Sequence, residues 1–330
     1  MPIVSPSSYR PPFYLRNGHL QTICPALFRR FDVNLYRRER IETDDGDFLD
    51  LDWSNVGSSM LGIISHGLEG NSHRPYVVGM ASMLNQKGWD ALAWNYRSCS
   101  GQINRRLRFY HNGSIDDLGT VVQYALGNKH YEKIVLIGFS LGGNLTLVYL
   151  GSHGSELPPQ VVCAAVFSVP CDLAASADVL ARMRCKPYMR NFLSSLHQKI
   201  REKMKVMPEQ IHDRGFHRIK NFKEYDDRYT APLHGFKSAE DYWEKCSSIA
   251  YIPKVRIPTL IVNALDDPFL ADKCYPVKAA SESPYVYLET PRSGGHVGFI
   301  QFNGDKSYWS ENRAMEFIRK TANGNQCAPG

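Results

Sequence analysis

Residues 133–143 have the sequence KIVLIGFSLGG. An apolar run leads into the pentapeptide GFSLG at 138–142, and a helical pattern continues to residue 150. A G-x-S-x-G pattern between a buried strand and a helix is typical of a sharp turn that exposes the serine hydroxyl. Small neighbours are needed there, because the serine takes a positive φ. The stretch therefore predicts a buried strand that presents Ser140 at its carboxyl end.

Further apolar runs on both sides of this strand alternate with helical patterns. Buried runs separated by helices predict an α/β fold with a mainly parallel, twisted sheet and helices on both faces, as one domain over 1–330. A half-buried antiparallel strand near a sheet edge is predicted at 47–53, because apolar and acidic residues alternate there. The other predicted strands are 61–65, 91–94, 161–168, 257–263 and 285–289, and the predicted helices are 76–86, 115–126 and 141–150.

Residues 170–235 interrupt this alternation. The interval is too long for an ordinary helix-to-strand connection, and Leu193, Leu196, Ile200 and Met204 recur at helical spacing. We interpret it as a helical cap inserted into the domain.

The formal net charge of +6 is unevenly distributed. Residues 182–223 hold twelve lysines and arginines against three acids, which we interpret as a solvated helix face. Weak contact of this basic cap with anionic lipid headgroups is the alternative. No nucleic-acid-binding motif accompanies the charge, so nucleic acid is not an expected partner. The oligomeric state stays open.

The eight cysteines form no CxxC pair and no metal-ligand spacing with histidine. We expect reduced thiols, no metal and no cofactor. The first 20 residues lack the apolar segment of a signal peptide, and no apolar run reaches 18 residues. These patterns predict a cytoplasmic protein.

A serine hydroxyl needs a base within hydrogen-bonding reach, and the base needs an orienting carboxylate. The chain order expected after this serine turn is acid and then histidine. His296 lies in the glycine-rich RSGGHVGF (292–299), after the last predicted strand. Asp267 in NALDDPF (263–269) is the predicted acid, and Asp266 is the runner-up, with a turn or helix cap as its other role.

The negative oxygen of a tetrahedral intermediate needs preorganised N–H donors. One donor is expected directly after the nucleophile and the other in the early strand-to-helix loop. The predicted oxyanion hole therefore consists of the backbone N–H groups of Leu141 and Leu68, with His66 as a brace for the loop.

Seven blocks in this order resemble the YheT-type family of the α/β-hydrolase superfamily, which includes eukaryotic α/β-hydrolase-domain proteins. The resemblance covers nearly the whole chain. It implies hydrolysis of carboxylic esters by Ser140, Asp267 and His296, with lipid or phospholipid substrates in some membrane-bound relatives. Because those relatives have an N-terminal membrane segment that is not found here, their lipid specificity is not carried over. The blocks are NGHLQT (17–22), DGDFLDLDW (45–53), HGLEG (66–70), NYRSCSG (95–101), GFSLGGN (138–144), DDPF (266–269) and GGHVGF (294–299).

The sequence thus predicts a carboxylesterase that forms an acyl-enzyme from a small-molecule ester with an apolar acyl group. A lipase or phospholipase, an acyltransferase with the same triad, and a non-catalytic binding protein on a hydrolase scaffold are the alternatives. For His19 and residues 97–101 a structural role is favoured over pocket lining. Aromatic residues available to an acyl pocket are Tyr188, Phe192, Phe216 and Phe222.

Overall fold

Nine strands form one sheet in a computed structural model that describes residues 3–31, 35–304 and 306–322. The spatial order is β1-β9-β8-β7-β6-β4-β5-β3-β2. The strands are β1 (Ile3–Val4), β2 (Arg37–Glu42), β3 (Phe48–Ser54), β4 (Met60–Ser65), β5 (Asp90–Asn95), β6 (Lys133–Phe139), β7 (Val161–Phe167), β8 (Thr259–Val262) and β9 (Val286–Glu289).

The β2–β3 and β3–β5 pairings are antiparallel, and the other six pairings among the described strands are parallel. The predicted α/β class and mainly parallel sheet are therefore confirmed. Because parallel strands share one direction, the carboxyl ends of β4, β6, β7 and β8 meet at one edge. The loops that follow these strands contain the predicted site.

Helices cover both faces of the sheet, as predicted. Successive side chains of β6 alternate between two apolar cores, with Ile134 and Leu136 in one and Val135 and Ile137 in the other. The helices are α1 (Gly18–Phe28), α2 (Pro75–Gln86), α3 (Ile115–Asn128), α4 (Leu141–His153), α5 (Leu173–Ala181), α6 (Lys186–Val206), α7 (Phe222–Tyr225), α8 (Ala231–Leu233), α9 (Ala239–Cys246), α10 (Val277–Ser281) and α11 (Trp309–Ala322).

The predicted half-buried character of β3 is wrong, because the strand is buried along its whole length. The edge strand β2 covers it. Arg40 and Arg38 of β2 form bidentate pairs with Asp50 and Asp52 of β3. The alternating acids of β3 are therefore neutralised by the neighbouring strand instead of facing solvent.

The chain between β7 and β8 is helical and contains α5 to α9, which we call the helical segment (173–246). Its role as a cap insertion over 170–235 stays a prediction. The interpretation of its basic residues as a solvated face is only partly right, because two lysines of α6 point inward. Lys203 is fully buried and donates to the Asn104 carbonyl at 2.7 Å, and Lys199 pairs with Glu69.

Arg97, in the NYRSCSG block, lies in a buried ion cluster. Its guanidinium donates to both carboxylate oxygens of Asp117 and contacts Asp45 and Asp47 at 2.8 and 2.9 Å. The Arg97 side chain is only 2% exposed. The structural role favoured for this block thus applies to Arg97.

We expect Arg97→Met to lower the free energy of unfolding by about 3–5 kcal/mol, because it leaves buried carboxylates without a counter-charge. Urea unfolding of the purified variant measures the loss. Arg105→Met is the matched control, since Arg105 forms a solvent-exposed pair with Glu42 and its replacement should lower the free energy of unfolding much less. Equal losses in the two variants would contradict the structural role of the cluster.

No helix within the described ranges is both long and apolar enough to cross a bilayer. The seven cysteines in those ranges form no disulfide. Cys327, also predicted to be reduced, lies outside the described residues.

Candidate active site

Ser140 occupies the turn between β6 and α4, as the motif predicts. Its φ is 54° and its ψ −118°, an unusual conformation for a residue with a side chain. The flanking glycines allow it: a Cβ on Gly138 would approach the Gly142 carbonyl oxygen to 2.5 Å, and one on Gly142 would collide with the Ser65 carbonyl. The turn therefore directs the Ser140 hydroxyl outward from the carboxyl edge of the sheet.

The structure brings the three predicted side chains together. His296 Nε2 lies 2.8 Å from Ser140 Oγ, and His296 Nδ1 lies 2.9 Å from Asp267 Oδ2. The Asp267 side chain is fully buried and the His296 side chain is 11% exposed. Asp267 Oδ1 also accepts the Phe269 N–H at 2.9 Å. The carboxylate is thus fixed behind an imidazole whose other nitrogen can take the serine proton.

Asp266, the alternative acid, has a different contact. Its Oδ1 accepts the Gly295 N–H at 2.8 Å, so it supports the loop before His296 instead of the imidazole. Its Oδ2 is buried and has no hydrogen-bond partner among the described residues. Burial raises the pKa of Asp266 above its ordinary value.

Two hydroxyls that the sequence did not reveal hold the backbone around His296. Thr22 Oγ1 of α1 accepts the His296 N–H at 2.9 Å, and Ser168 Oγ after β7 accepts the Val297 N–H at 2.8 Å. Thr22 belongs to the NGHLQT block, one of the seven that carry the family resemblance, and this was the sequence signal that pointed to its segment. His19 of that block hydrogen bonds the hydroxyl of Tyr188 at 3.0 Å, so it connects α1 to the helical segment.

The loop predicted to supply the second oxyanion donor lies against the nucleophile. A Cβ on Gly67 would stand 3.3 Å from Ser140 Cβ. The His66 ring braces this loop, because Nδ1 donates to the Gly67 carbonyl at 2.8 Å and Nε2 accepts the Tyr96 N–H at 3.3 Å. Burial lowers the pKa of His66 to about 3, so the ring is neutral at pH 7. Leu68 and Leu141 line the same cavity as Ser140.

Glu69, directly after Leu68, is held by the core and by the helical segment. Its N–H donates to Tyr110 Oη at 2.9 Å, and the Tyr110 hydroxyl donates to Glu69 Oε1 at 2.6 Å. Lys199 Nζ of α6 lies 2.7 Å from the same carboxylate oxygen and 2.9 Å from Cys99 Sγ. Burial raises the pKa of the Cys99 thiol to about 11, so it is protonated at neutral pH. The loop that contains Leu68 is therefore held in place in part by Lys199 of the helical segment.

A cavity extends from Ser140 and His296 between the sheet edge and the helical segment. Of the four aromatic residues that the sequence offered for the pocket, Phe192 and Phe222 line it. Tyr188 packs on His19 and Phe269 instead, and Phe216 is buried in the core of the helical segment. The apolar lining residues include Leu173, Ala177, Leu180, Phe192, Leu196, Phe222, Leu233, Trp243 and Phe269. Within the described ranges, no three His, Cys, Asp or Glu side chains are grouped as a metal site.

Comparisons with known proteins identify the family of the chain. The Escherichia coli protein named "Putative esterase YheT" is 33% identical over 290 residues, which cover 86% of this chain and 84% of that protein. Mouse phospholipase ABHD3 is 28% identical over 91% of this chain and 75% of its own length. The solved structure of the Pyrococcus furiosus esterase Pf2001 superimposes with a TM-score of 0.58 and 18% identity, over 87% of this chain and 91% of that one, which supports the fold alone. A family model for the alpha/beta hydrolase fold matches residues 63–302. The chain therefore belongs to the α/β-hydrolase family, as an esterase- and lipase-type member related to YheT.

Proposed function

We propose that the protein is a carboxylic ester hydrolase that works through an acyl-enzyme on Ser140. The observation that carries the proposal is the continuous hydrogen-bonded chain from Ser140 Oγ through His296 to the buried Asp267 carboxylate. Such an arrangement is needed to make a hydroxyl nucleophilic at neutral pH, and it serves acyl transfer on several unrelated folds.

In the first half-reaction, His296 Nε2 takes the proton of Ser140 while Oγ bonds to the ester carbonyl carbon. The N–H groups of Leu68 and Leu141 stabilise the oxyanion; Leu141 is the first residue of α4, where N–H groups have no partner within the helix. The intermediate collapses, the C–O bond to the alcohol breaks, and His296 protonates the alcohol. Water then attacks the acyl-enzyme by the same route and releases the acid.

The substrate we propose is a small ester with an apolar acyl group, held beneath the helical segment acting as a cap. The lining of the cavity supports this, because most of the residues that surround Ser140 there are apolar. The phospholipase name of one relative makes lipid esters a second candidate. An acyltransferase would use the same residues, with an alcohol in place of water.

Labelling with a fluorophosphonate tests the nucleophile, because the reagent bonds covalently to an activated serine oxygen with loss of fluoride. We expect labelling of Ser140 in the folded protein, shown by peptide mass spectrometry, and none after heat unfolding. We also expect kcat/KM for p-nitrophenyl octanoate to exceed that for the acetate by about tenfold or more, since each buried CH₂ contributes about 0.8 kcal/mol. A folded protein that is not labelled would refute the proposed mechanism.

Lys199 is expected to act as a positioning residue for the loop that contains Leu68, the proposed oxyanion donor. Lys199→Met should lower kcat about tenfold and leave KM within about twofold, because one charge-assisted hydrogen bond to Glu69 is lost. Lys199→Arg should recover part of the rate. Lys205→Met is the matched control, because Lys205 lies on the same helix but is exposed and pairs with Glu202. An increase in KM alone would assign Lys199 to substrate binding instead.

A further inference from the structure

We infer that the exposed side of α1 and its neighbouring loops docks on the surface of an anionic lipid bilayer. This N-terminal apolar face is made of residues outside the basic helical segment, and the inference does not depend on the proposed catalysis because binding is measured without turnover. The face consists of Phe13, Tyr14, Leu20, Ile23, Leu27, Phe28 and Phe302.

Helix α1 presents its apolar stripe to solvent. Gly18, Gln21 and Pro25 are the buried positions, whereas Leu20, Ile23 and Leu27 are 45%, 40% and 61% exposed. Residues at i, i+3 and i+7 lie on one side of a helix, so these three side chains form a continuous apolar row. An isolated exposed leucine is ordinary in a folded protein, but a continuous row at the surface is typical of an interaction site.

The face continues beyond α1 onto two loops. Phe13 is 79% exposed, and its ring centroid lies 5.0 Å from that of Tyr14. Tyr14 in turn stacks on Phe302 at 6.2 Å. The buried side chain of Gln21 connects α1 to both loops. Its Nε2 donates to the Leu15 carbonyl and its Oε1 accepts the Ile300 N–H. Seven of the twelve large apolar side chains that the described residues expose thus belong to α1 and to the two loops that Gln21 joins to it.

The charge of this region complements an anionic membrane. Residues 1–31 contain four arginines and neither aspartate nor glutamate. Arg10, Arg16 and Arg30 are exposed, whereas Arg29 pairs with Glu311. Basic groups beside apolar and aromatic side chains fit the headgroup level of a bilayer with anionic lipid. A second copy of the chain fits less well, because residues 1–31 of each copy would bring arginines and no acid to the contact.

The N-terminal apolar face and the candidate active site both include residues of α1. On its buried side, Gly18 packs against the Asp266 carbonyl and Thr22 holds the His296 backbone. Docking would therefore place the lipid surface one helix away from the catalytic histidine. The partner class is the bilayer itself, and an ester dissolved in it would lie near the site.

Flotation of the purified full-length protein with vesicles tests the inference. Vesicles of phosphatidylcholine and phosphatidylglycerol in equal parts should carry the protein upward, and pure phosphatidylcholine should carry less. Leu27→Ser/Phe28→Ser should weaken binding to the mixed vesicles at least tenfold, with hydrolysis of a water-soluble ester and the unfolding midpoint unchanged. Val56→Ser/Val206→Ser, at two exposed apolar positions elsewhere, is the matched control and should bind like the unchanged protein. Arg10→Gln/Arg16→Gln should remove the preference for phosphatidylglycerol.

Three outcomes would overturn the inference. The first is that the unchanged protein does not float, or that Leu27→Ser/Phe28→Ser floats as well as it does. The second is loss of binding in Arg184→Glu/Arg190→Glu with none in the α1 variant, which would assign docking to the helical segment. The third is sedimentation of the unchanged protein as a dimer that becomes a monomer in the α1 variant, which would make a second copy the occupant of this face.

Discussion

Replacing Ser140 with alanine is expected to lower kcat for ester hydrolysis on the order of 10⁶-fold, as removal of the nucleophile does in serine proteases. The reason is that the variant has no hydroxyl to form the acyl-enzyme. The oxyanion donors and substrate binding should still accelerate hydrolysis by about 10³–10⁴-fold over the uncatalysed reaction in water. Initial rates on p-nitrophenyl esters measure the loss, and fluorophosphonate labelling should disappear with it. The unfolding midpoint should change little, because alanine occupies the same turn with one atom fewer.

Ser168→Ala provides the matched control for this experiment. Ser168 also has a positive φ, of 53°, and it follows the neighbouring strand β7. Its hydroxyl accepts only the Val297 N–H in the site, so we expect a loss of about tenfold in kcat, equivalent to one hydrogen bond, and retained labelling. A Ser140→Ala protein with more than about 1% of the original rate would exclude the acyl-enzyme route and favour direct attack by water.

Exchanging each of the two neighbouring acids for its amide should separate their roles. Asp267→Asn is expected to lower kcat by about 10⁴-fold. An amide facing His296 Nδ1 can donate as well as accept, so the imidazole adopts the wrong tautomer and Nε2 no longer takes the serine proton. Asp266→Asn should lower kcat by no more than about tenfold, because the amide oxygen can still accept the Gly295 N–H. Rates on one ester at pH 7.5 provide the comparison, and equal losses in the two variants would contradict the assignment.

The stability of the Asp266→Asn protein provides a second measurement. Burial raises the pKa of Asp266 in the folded state, so the folded protein holds this proton more tightly than the unfolded chain does. Ionisation therefore costs folding free energy. The unchanged protein should lose stability relative to the variant as the pH rises from about the ordinary value of 3.8 towards the raised pKa, and the difference should then stay constant. Urea unfolding of both proteins at pH 3.5, below the ordinary value, and at pH 8 checks the direction.

Strand patterns predicted the central sheet because parallel strands are buried on both faces and leave short apolar runs in the sequence. Strands β4, β5, β6 and β7 lie within one residue of the predicted ends. The edge strand β2 was not predicted, because RRERIE has no apolar run. Helix α1 was missed as well, since Pro25 lies inside it and its apolar row faces outward.

The three side chains proposed to react could be located from the sequence, since each one follows a recognisable strand in a loop with glycines or acidic residues. The residues that hold these side chains in place through hydrogen bonds could not be assigned to that role from the sequence. Thr22 and Ser168 accept backbone N–H groups of the loop that contains His296. Thr22 was marked only by its place in the NGHLQT block, and no motif marked Ser168. The pairing of Lys199 with Glu69 spans 130 positions and depends on how the helical segment folds back over the sheet edge.

The hydrogen bond between Thr22 and the His296 backbone means that the site needs more of the chain than the segment that matches the family. The segment that matches the hydrolase family begins at residue 63. The hydroxyl that holds the backbone of His296, the proposed base, belongs to Thr22, and Gln21 hydrogen bonds to residues 15 and 300. A fragment cut to the family boundaries would keep the three side chains proposed to react and lose part of the scaffold that aligns them. The smallest self-sufficient unit of this hydrolase therefore starts upstream of its recognisable core.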